Sequence, residues 1–190
     1  MNVGVLALQG DFREHVKAVS DCGHTPIEVR RASELAQVDA LILPGGESTT
    51  IIHLAQIFDL YLPIQAAIRN GLPVYGSCAG MILLADRIVD GVENQKTFGG
   101  LNITVRRNAF GRQVDSFESD LSFNGASLHA VFIRAPWVEE VGAGVEVLAV
   151  ASEHPVAVRQ GKLLATSFHP ELTENLAVHR FFFDEICKGR

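Results

Sequence analysis

Three stretches of this chain bring together side chains that could do chemistry. In Gly76-Ser77-Cys78-Ala79-Gly80 a cysteine stands between glycines two residues before it and two after it. A short apolar run precedes this stretch and a helical pattern follows it, so Cys78 falls at a strand-to-helix turn. A turn that sharp crowds the neighbouring backbone, and residues without a Cβ fit there. It would raise the thiol above the C-terminal edge of a sheet, where ligands bind in open α/β folds. It would also set the sulfur at a helix N-terminus, whose partial positive charge favours thiolate over thiol. The chemistry implied is nucleophilic attack on an acyl carbon. A buried structural cysteine beside packing glycines competes with this reading, and the motif alone does not separate the two.

The second stretch is Pro44-Gly45-Gly46-Glu47-Ser48-Thr49-Thr50, which follows a buried strand and opens a helix. Paired glycines let backbone N–H groups approach a developing negative charge. The N–H groups of Gly46 and Ala79 are therefore expected to form an oxyanion hole. The bland alternative is a phosphate-binding turn or a tight loop, but no lysine follows at P-loop spacing. The third stretch, Ser167-Phe168-His169-Pro170-Glu171, ends an apolar strand. In extended chain, residues i and i+2 share a face, so Glu171 is expected to orient His169 and leave its other ring nitrogen for Cys78. Cys78, His169 and Glu171 then read as nucleophile, base and orienter.

Other reactive side chains offer less. His15, His24, His53, His129, His154 and His179 fall in no metal-ligand spacing, so no metal site is expected and each reads as a surface or satisfied core residue. The three cysteines, Cys22, Cys78 and Cys187, are far apart with no CxxC. They point to a reducing cytoplasm, with Cys22 and Cys187 as packing residues.

These side chains must be held by a framework, and the pattern of apolar runs describes one. Strands are expected at 3–8, 26–30, 40–43 and 73–75. They alternate with helices at 11–22, 47–57, 63–69 and 79–89, with Asp11 capping the first helix and Gly23 ending it. Such alternation implies a parallel sheet covered on both faces. The second half reads as strands at 101–107, 128–134, 145–151, 156–158 and 163–168, joined by short turns and closed by a helix at 174–187. The expected fold is a three-layer α/β/α single domain spanning residues 1–190, with a mostly parallel central sheet and an antiparallel extension. With 47% hydrophobic and 20% charged residues the composition is globular. A formal charge of −6 argues against a broad nucleic-acid surface. No apolar run approaches the ~20 residues of a membrane span, and the N-terminus lacks a basic leader.

With these segments in hand, the chain resembles the class I, triad-type glutamine amidotransferases. Within them it is most similar to the branch that supplies the glutaminase subunit of pyridoxal 5′-phosphate synthase. The resemblance runs essentially from end to end. It is carried by Gly4-Val5-Leu6-Ala7-Leu8-Gln9-Gly10, the 44–50 loop, the cysteine turn, Arg107-Asn108-Ala109-Phe110-Gly111-Arg112-Gln113 with Asp115-Ser116-Phe117, Phe132-Ile133-Arg134-Ala135-Pro136, and residues 167–174. The resemblance implies a flavodoxin-like fold and hydrolysis of L-glutamine to L-glutamate and ammonia through a γ-glutamyl thioester on Cys78. It implies that Gly46, Glu47, Ser48, Arg107, Ile133 and Arg134 hold glutamine, that Gln9 approaches the site and a partner interface, and that no cofactor is needed. It further implies a separate barrel-shaped synthase subunit in a large hetero-oligomer, which receives the ammonia and builds pyridoxal 5′-phosphate. The arginines suit a substrate α-carboxylate, since guanidinium pairs well with carboxylates.

Two other readings remain. A cysteine peptidase or related hydrolase on a similar scaffold would often carry histidine directly after the elbow cysteine, where this chain has Ala79. A non-catalytic scaffold subunit would have lost a member of the triad, and none is lost.

Overall fold

Short runs of aliphatic residues, each ended by glycine or proline, become the strands of a sheet buried on both faces. The computed structural model describes residues 1–109 and 116–188. In chain order the first half contains β1 (Asn2–Leu6), α1 (Phe12–Asp21), β2 (Thr25–Val29), α2 (Ala32–Leu35), β3 (Ala40–Leu43), α3 (Ser48–Ile57), α4 (Tyr61–Arg69), β4 (Val74–Ser77), α5 (Ala79–Leu84) and β5 (Ala85–Val89). The second half contains β6 (Leu101–Arg106), β7 (Ser116–Phe123), β8 (Ala126–Ile133), β9 (Trp137–Val141), β10 (Glu146–Ala151), β11 (His154–Gln160), β12 (Leu163–Thr166) and α6 (Ala177–Phe181), which passes into a wider helical turn at Phe182–Cys187.

The main sheet has the order β10-β11-β12-β4-β3-β1-β2. From β12 to β2 all neighbours are parallel, and β11 and β10 add an antiparallel edge. The expected mixed sheet is therefore present. Alternation along each strand divides its side chains between two cores. Leu41, Leu43 and Val74 join Ile51, Ile64 and Leu83 on one face. Ala40, Ile42 and Tyr75 join Val19, Phe132, Phe168, Val178 and Phe182 on the other. Helices α3, α4 and α5 cover the first face, and α1 and α6 the second, which gives the three layers. Among the described residues no single helix is long and apolar enough to cross a membrane.

Four expectations are corrected. The helix expected at 79–89 stops at Leu84, where Ala85 turns extended and β5 pairs in parallel with β6. Met81-Ile82-Leu83-Leu84 and Ile88-Val89 are apolar in both senses, and only the pairing of Ile88 with Val105 decides between them. The strands expected at 101–107 and 128–134 do not extend the main sheet. They form β6 in a separate β5-β6-β9 sheet and β8 in a β7-β8 hairpin. Strands β7 and β9 were not foreseen, because Ser116–Phe123 and Trp137–Val141 carry many polar residues on their exposed face. The final helix starts at Ala177, whose N–H donates to Asn175 Oδ1 at 2.8 Å, and not at 174.

Between β4 and α5 the backbone doubles back on itself. A Cβ on Gly76 would stand 2.4 Å from the carbonyl of Gly80, and one on Gly80 would stand 2.2 Å from the carbonyl oxygen of Leu43. Nothing there is a flexible side-chain end that could move aside. Gly80→Ala should therefore cost about 2–3 kcal/mol, as overpacking of a close-packed interior does. A urea midpoint equal to that of the unchanged protein would mean that α5 does not lie this close to β3.

Candidate active site

Register decides where the reactive side chains gather. Leu43 of β3 lies beside Gly76 of β4, and Ser77 of β4 lies beside Thr166 of β12. The three segments that leave these strand ends therefore emerge side by side. They carry Gly45 and Gly46, Cys78, and His169. They line one cavity of about 360 Å³ with Gln9, Asp11, Glu47, Ser48, Ala79, Arg107, Asn108, Ile133 and Arg134. Every expected binding residue except the buried Glu171 is on its wall.

Cys78 leaves β4 with φ 48° and ψ −103°. A residue with a Cβ adopts such a conformation at a cost of about 1–3 kcal/mol, and only where its surroundings enforce it. Here its N–H donates to Thr166 O at 2.8 Å and its carbonyl accepts from Met81 N–H at 3.0 Å. The sulfur lies 3.8 Å from the carbonyl oxygen of Ile133. Ala79 opens α5, and first-turn amides have no intrahelical acceptor. Ala79 and Gly46 both line the cavity.

His169 is held by its own N–H, which donates to Val131 O at 2.9 Å, and by Phe168 packed on Phe132. Its Nδ1 donates to Glu171 Oε1 at 2.7 Å, which leaves Nε2 for the thiol. The route to this contact differs from the expected extended strand. β12 ends at Thr166, and Pro170–Leu172 is a 3₁₀ turn that brings the carboxylate back to the ring. Proline at 170 has no N–H to continue a strand ladder and favours the turn. Gly45 passes against the same ring: a Cβ there would stand 2.4 Å from His169 Cε1.

Burial alone would push the His169 imidazole down, but hydrogen bonding and attraction from Cys78 and Glu171 outweigh it and hold its pKa up at about 11. Burial would likewise raise Glu171. Instead His15 and His169 hold its carboxyl well below the usual carboxylate range. A thiol, an imidazolium and a carboxylate in this order can take part in acyl transfer.

Asp11 does not cap α1. Its backbone N–H donates to Gly45 O at 3.1 Å, and its carboxylate stands 3.5 Å from His169 Nδ1. Burial raises its pKa, as do Glu171 and Glu14 nearby, against the opposing pull of His169 and His15. Asp11, His169 and Glu171 each offer a ligand-type atom within 4.8 Å of the others. Nδ1 of the ring is already used in orienting it.

The cavity lining also carries charge of both signs. Glu47 caps α3, accepts from Thr49 N and Oγ1 at 3.1 and 2.9 Å, and pairs with Arg107 at 3.1 Å. Burial works to raise its pKa, but Thr49, Arg107 and Arg134 prevail and lower it, so it is anionic. Gln9 accepts from Glu47 N–H at 2.8 Å and fixes the glycine loop. Gln95, not foreseen from sequence, joins Arg107 at 2.8 Å to Ser48 Oγ at 3.0 Å. Asn108 and Arg134 both sit in the left-handed region, at φ 47° and 44°. Phe110, Gly111, Arg112, Gln113 and Asp115 of the segment after Arg107 lie outside the described residues. Cys22 and Cys187 pack against the second core, as expected. His15 and His179, expected as surface or satisfied core residues, are both fully buried behind Glu171, which nothing in their spacing marks.

A family model described as the SNO glutamine amidotransferase family matches residues 5–188. The chain belongs to this family. It is 63% identical over 185 residues to the pyridoxal 5′-phosphate synthase subunit PdxT of Parafrankia sp., covering 96% of this chain and 91% of that protein. It is 60% identical over 189 residues to the subunit of the same name from Mycobacteroides abscessus, covering 98% of each. A crystal structure described as a glutamine amidotransferase superposes with a TM-score of 0.92 at 52% identity, over 97% of this chain and 98% of that one.

If Glu171 supports the imidazolium, Glu171→Gln should lower the pH at which His169 loses its proton, from about 11 toward the ordinary histidine range. NMR titration of the ring reads this directly. An unchanged midpoint would detach the carboxylate from the ring.

Proposed function

We propose that this chain is the glutaminase subunit of a pyridoxal 5′-phosphate synthase, hydrolysing L-glutamine to L-glutamate and passing the ammonia to a synthase partner. The observation that carries the reading is one pocket lined both by a reactive pair and by charges of both signs. Cys78 and His169 face the same cavity as the carboxylate of Glu47 and the guanidinium groups of Arg107 and Arg134. A free α-amino acid is a zwitterion, and this lining is complementary to one. The arginines suit its α-carboxylate, Glu47 its ammonium, and Ser48 and Ile133 the chain between.

The mechanism follows from the geometry. Cys78 thiolate attacks the amide carbon of the substrate side chain, and the N–H groups of Gly46 and Ala79 receive the charge that develops on oxygen. Losing one such donor costs roughly 3–4 kcal/mol of transition-state stabilisation. His169 protonates the departing ammonia, then as neutral imidazole activates the water that hydrolyses the thioester. Glu171 keeps the ring in the tautomer that both steps need. No step calls for a cofactor or a metal. Residues 1–190 act as one glutaminase domain in the cytoplasm. The partner is a barrel-shaped synthase subunit in a large hetero-oligomer, and Gln9, which lines the cavity, stands close to where it docks.

Cys78→Ala should lower glutamate release in the complex by at least about 10⁴-fold, the scale of losing a covalent nucleophile, with the fold and partner docking retained. Wild-type release by that variant would remove Cys78 from the chemistry. Cleavage of peptides in preference to glutamine by the unmodified protein would favour a peptidase instead.

A further inference from the structure

Behind Glu171, on the side away from the cavity, lies a line of buried polar groups that the mechanism above does not use. His15 of α1 is fully buried and stands between two partners. Its Nε2 is 2.9 Å from Ser77 Oγ and 3.5 Å from Glu171 Oε2, and its Nδ1 is 3.0 Å from His179 Nε2. Ser77 Oγ in turn reaches Glu171 Oε1 at 3.4 Å. Tyr75 packs edge-on against both histidine rings, and its hydroxyl is engaged with Thr166 Oγ1 at 2.9 Å.

The proton positions follow from the two ends of this line. Glu171 already accepts from His169, is held as an anion, and can only accept. At the other end His179 Nδ1 is buried with no partner among the described residues. Burial holds His179 neutral, with its pKa down at about 3. A neutral ring carries one proton, and buried N–H groups without an acceptor are rare. The proton of His179 therefore belongs on Nε2, where it donates to His15 Nδ1. His15 must then carry its own proton on Nε2 and donate toward Ser77 and Glu171, while the Ser77 hydroxyl donates to Glu171. The opposite arrangement would leave a buried N–H unpaired on His179 and turn a lone pair of His15 toward a carboxylate.

We propose that His15 is a positioning residue for the glutaminase reaction: with Ser77 it holds the Glu171 carboxylate that orients His169, and His179 fixes the tautomer in which it does so. The inference rests on the reading of Cys78, His169 and Glu171 given under the proposed function. It acts through Glu171 and touches neither glutamine nor the thiol. It should therefore move kcat and leave the KM for glutamine nearly alone.

The test measures glutamate release by the chain mixed with a synthase subunit. His15→Leu should lower kcat by roughly 10–100-fold, the scale of losing a hydrogen bond to a buried charge, with KM changed by less than about two-fold. His15→Gln, which keeps an N–H donor near the Nε2 position, should recover most of the loss. His179→Phe, which keeps an aromatic ring beside Tyr75, should fall between the two, and adding it to His15→Leu should cost little more. Wild-type kcat in His15→Leu, or no recovery in His15→Gln while both variants give wild-type circular dichroism, overturns the proposal. ¹⁵N NMR of the unmodified protein gives an independent reading: both rings should carry their proton on Nε2, and an Nδ1–H form of His15 overturns the proposal even where a variant does not fold. An unmodified complex with no glutaminase activity would defeat the functional reading, which the tautomer measurement leaves distinguishable.

Discussion

A carboxylate cut off from water governs the arrangement around it. The side chain of Glu171 is fully buried, yet it is held as an anion. Stripping water from such a group costs several kcal/mol, which attraction and hydrogen bonds must offset. His15 behind the carboxylate and the 2.7 Å bond from His169 in front of it do this together, with Ser77 at 3.4 Å. The ring cannot turn away without leaving a bare charge in the interior. Orientation of the imidazole is thus enforced by the cost of the alternative.

The second constraint is steric. A strand, a turn and a helix are folded so tightly at residues 76–80 that backbone lies directly on backbone, and Cys78 takes a conformation that side-chain-bearing residues avoid. Such a conformation persists only where the surroundings over-determine it. Two backbone hydrogen bonds on Cys78 and the glycines on either side do so. The outcome is that Cys78 and the neighbouring Ala79 both line the cavity.

Much of this was legible in the chain before any coordinates. The elbow is a local pattern, since both glycines and the cysteine lie within five residues. So were the parallel strands, because doubly buried strands are continuous aliphatic runs. The spacing of His169 and Glu171 brings the two side chains into contact, but across a 3₁₀ turn begun by Pro170 and not along an extended strand. What escaped depends on partners distant in sequence. Residues 85–89 look helical until β6 is placed beside them. The hairpin strand β7 alternates exposed polar residues with few apolar ones, and only the folded chain shows Leu121 and Phe123 buried in the second core. Asp11 has the chemistry of a helix cap, and only the approach of the 44–46 loop shows that it faces His169 instead. His15 and His179 lie 164 residues apart, and neither has a neighbour that hints at the other.

Strand order has a consequence for how the protein is made. β12 is formed by residues 163–166, near the end of the chain, yet it occupies an interior place in the sheet, between β11 and β4. While a ribosome is still translating, the edge of β4 stays open, and the imidazole does not yet exist beside the sulfur. A half-built polypeptide thus carries Cys78 without His169 beside it. Cys78 and His169 come together only when β12 takes its place beside β4, so closing the sheet also completes the cavity wall they share.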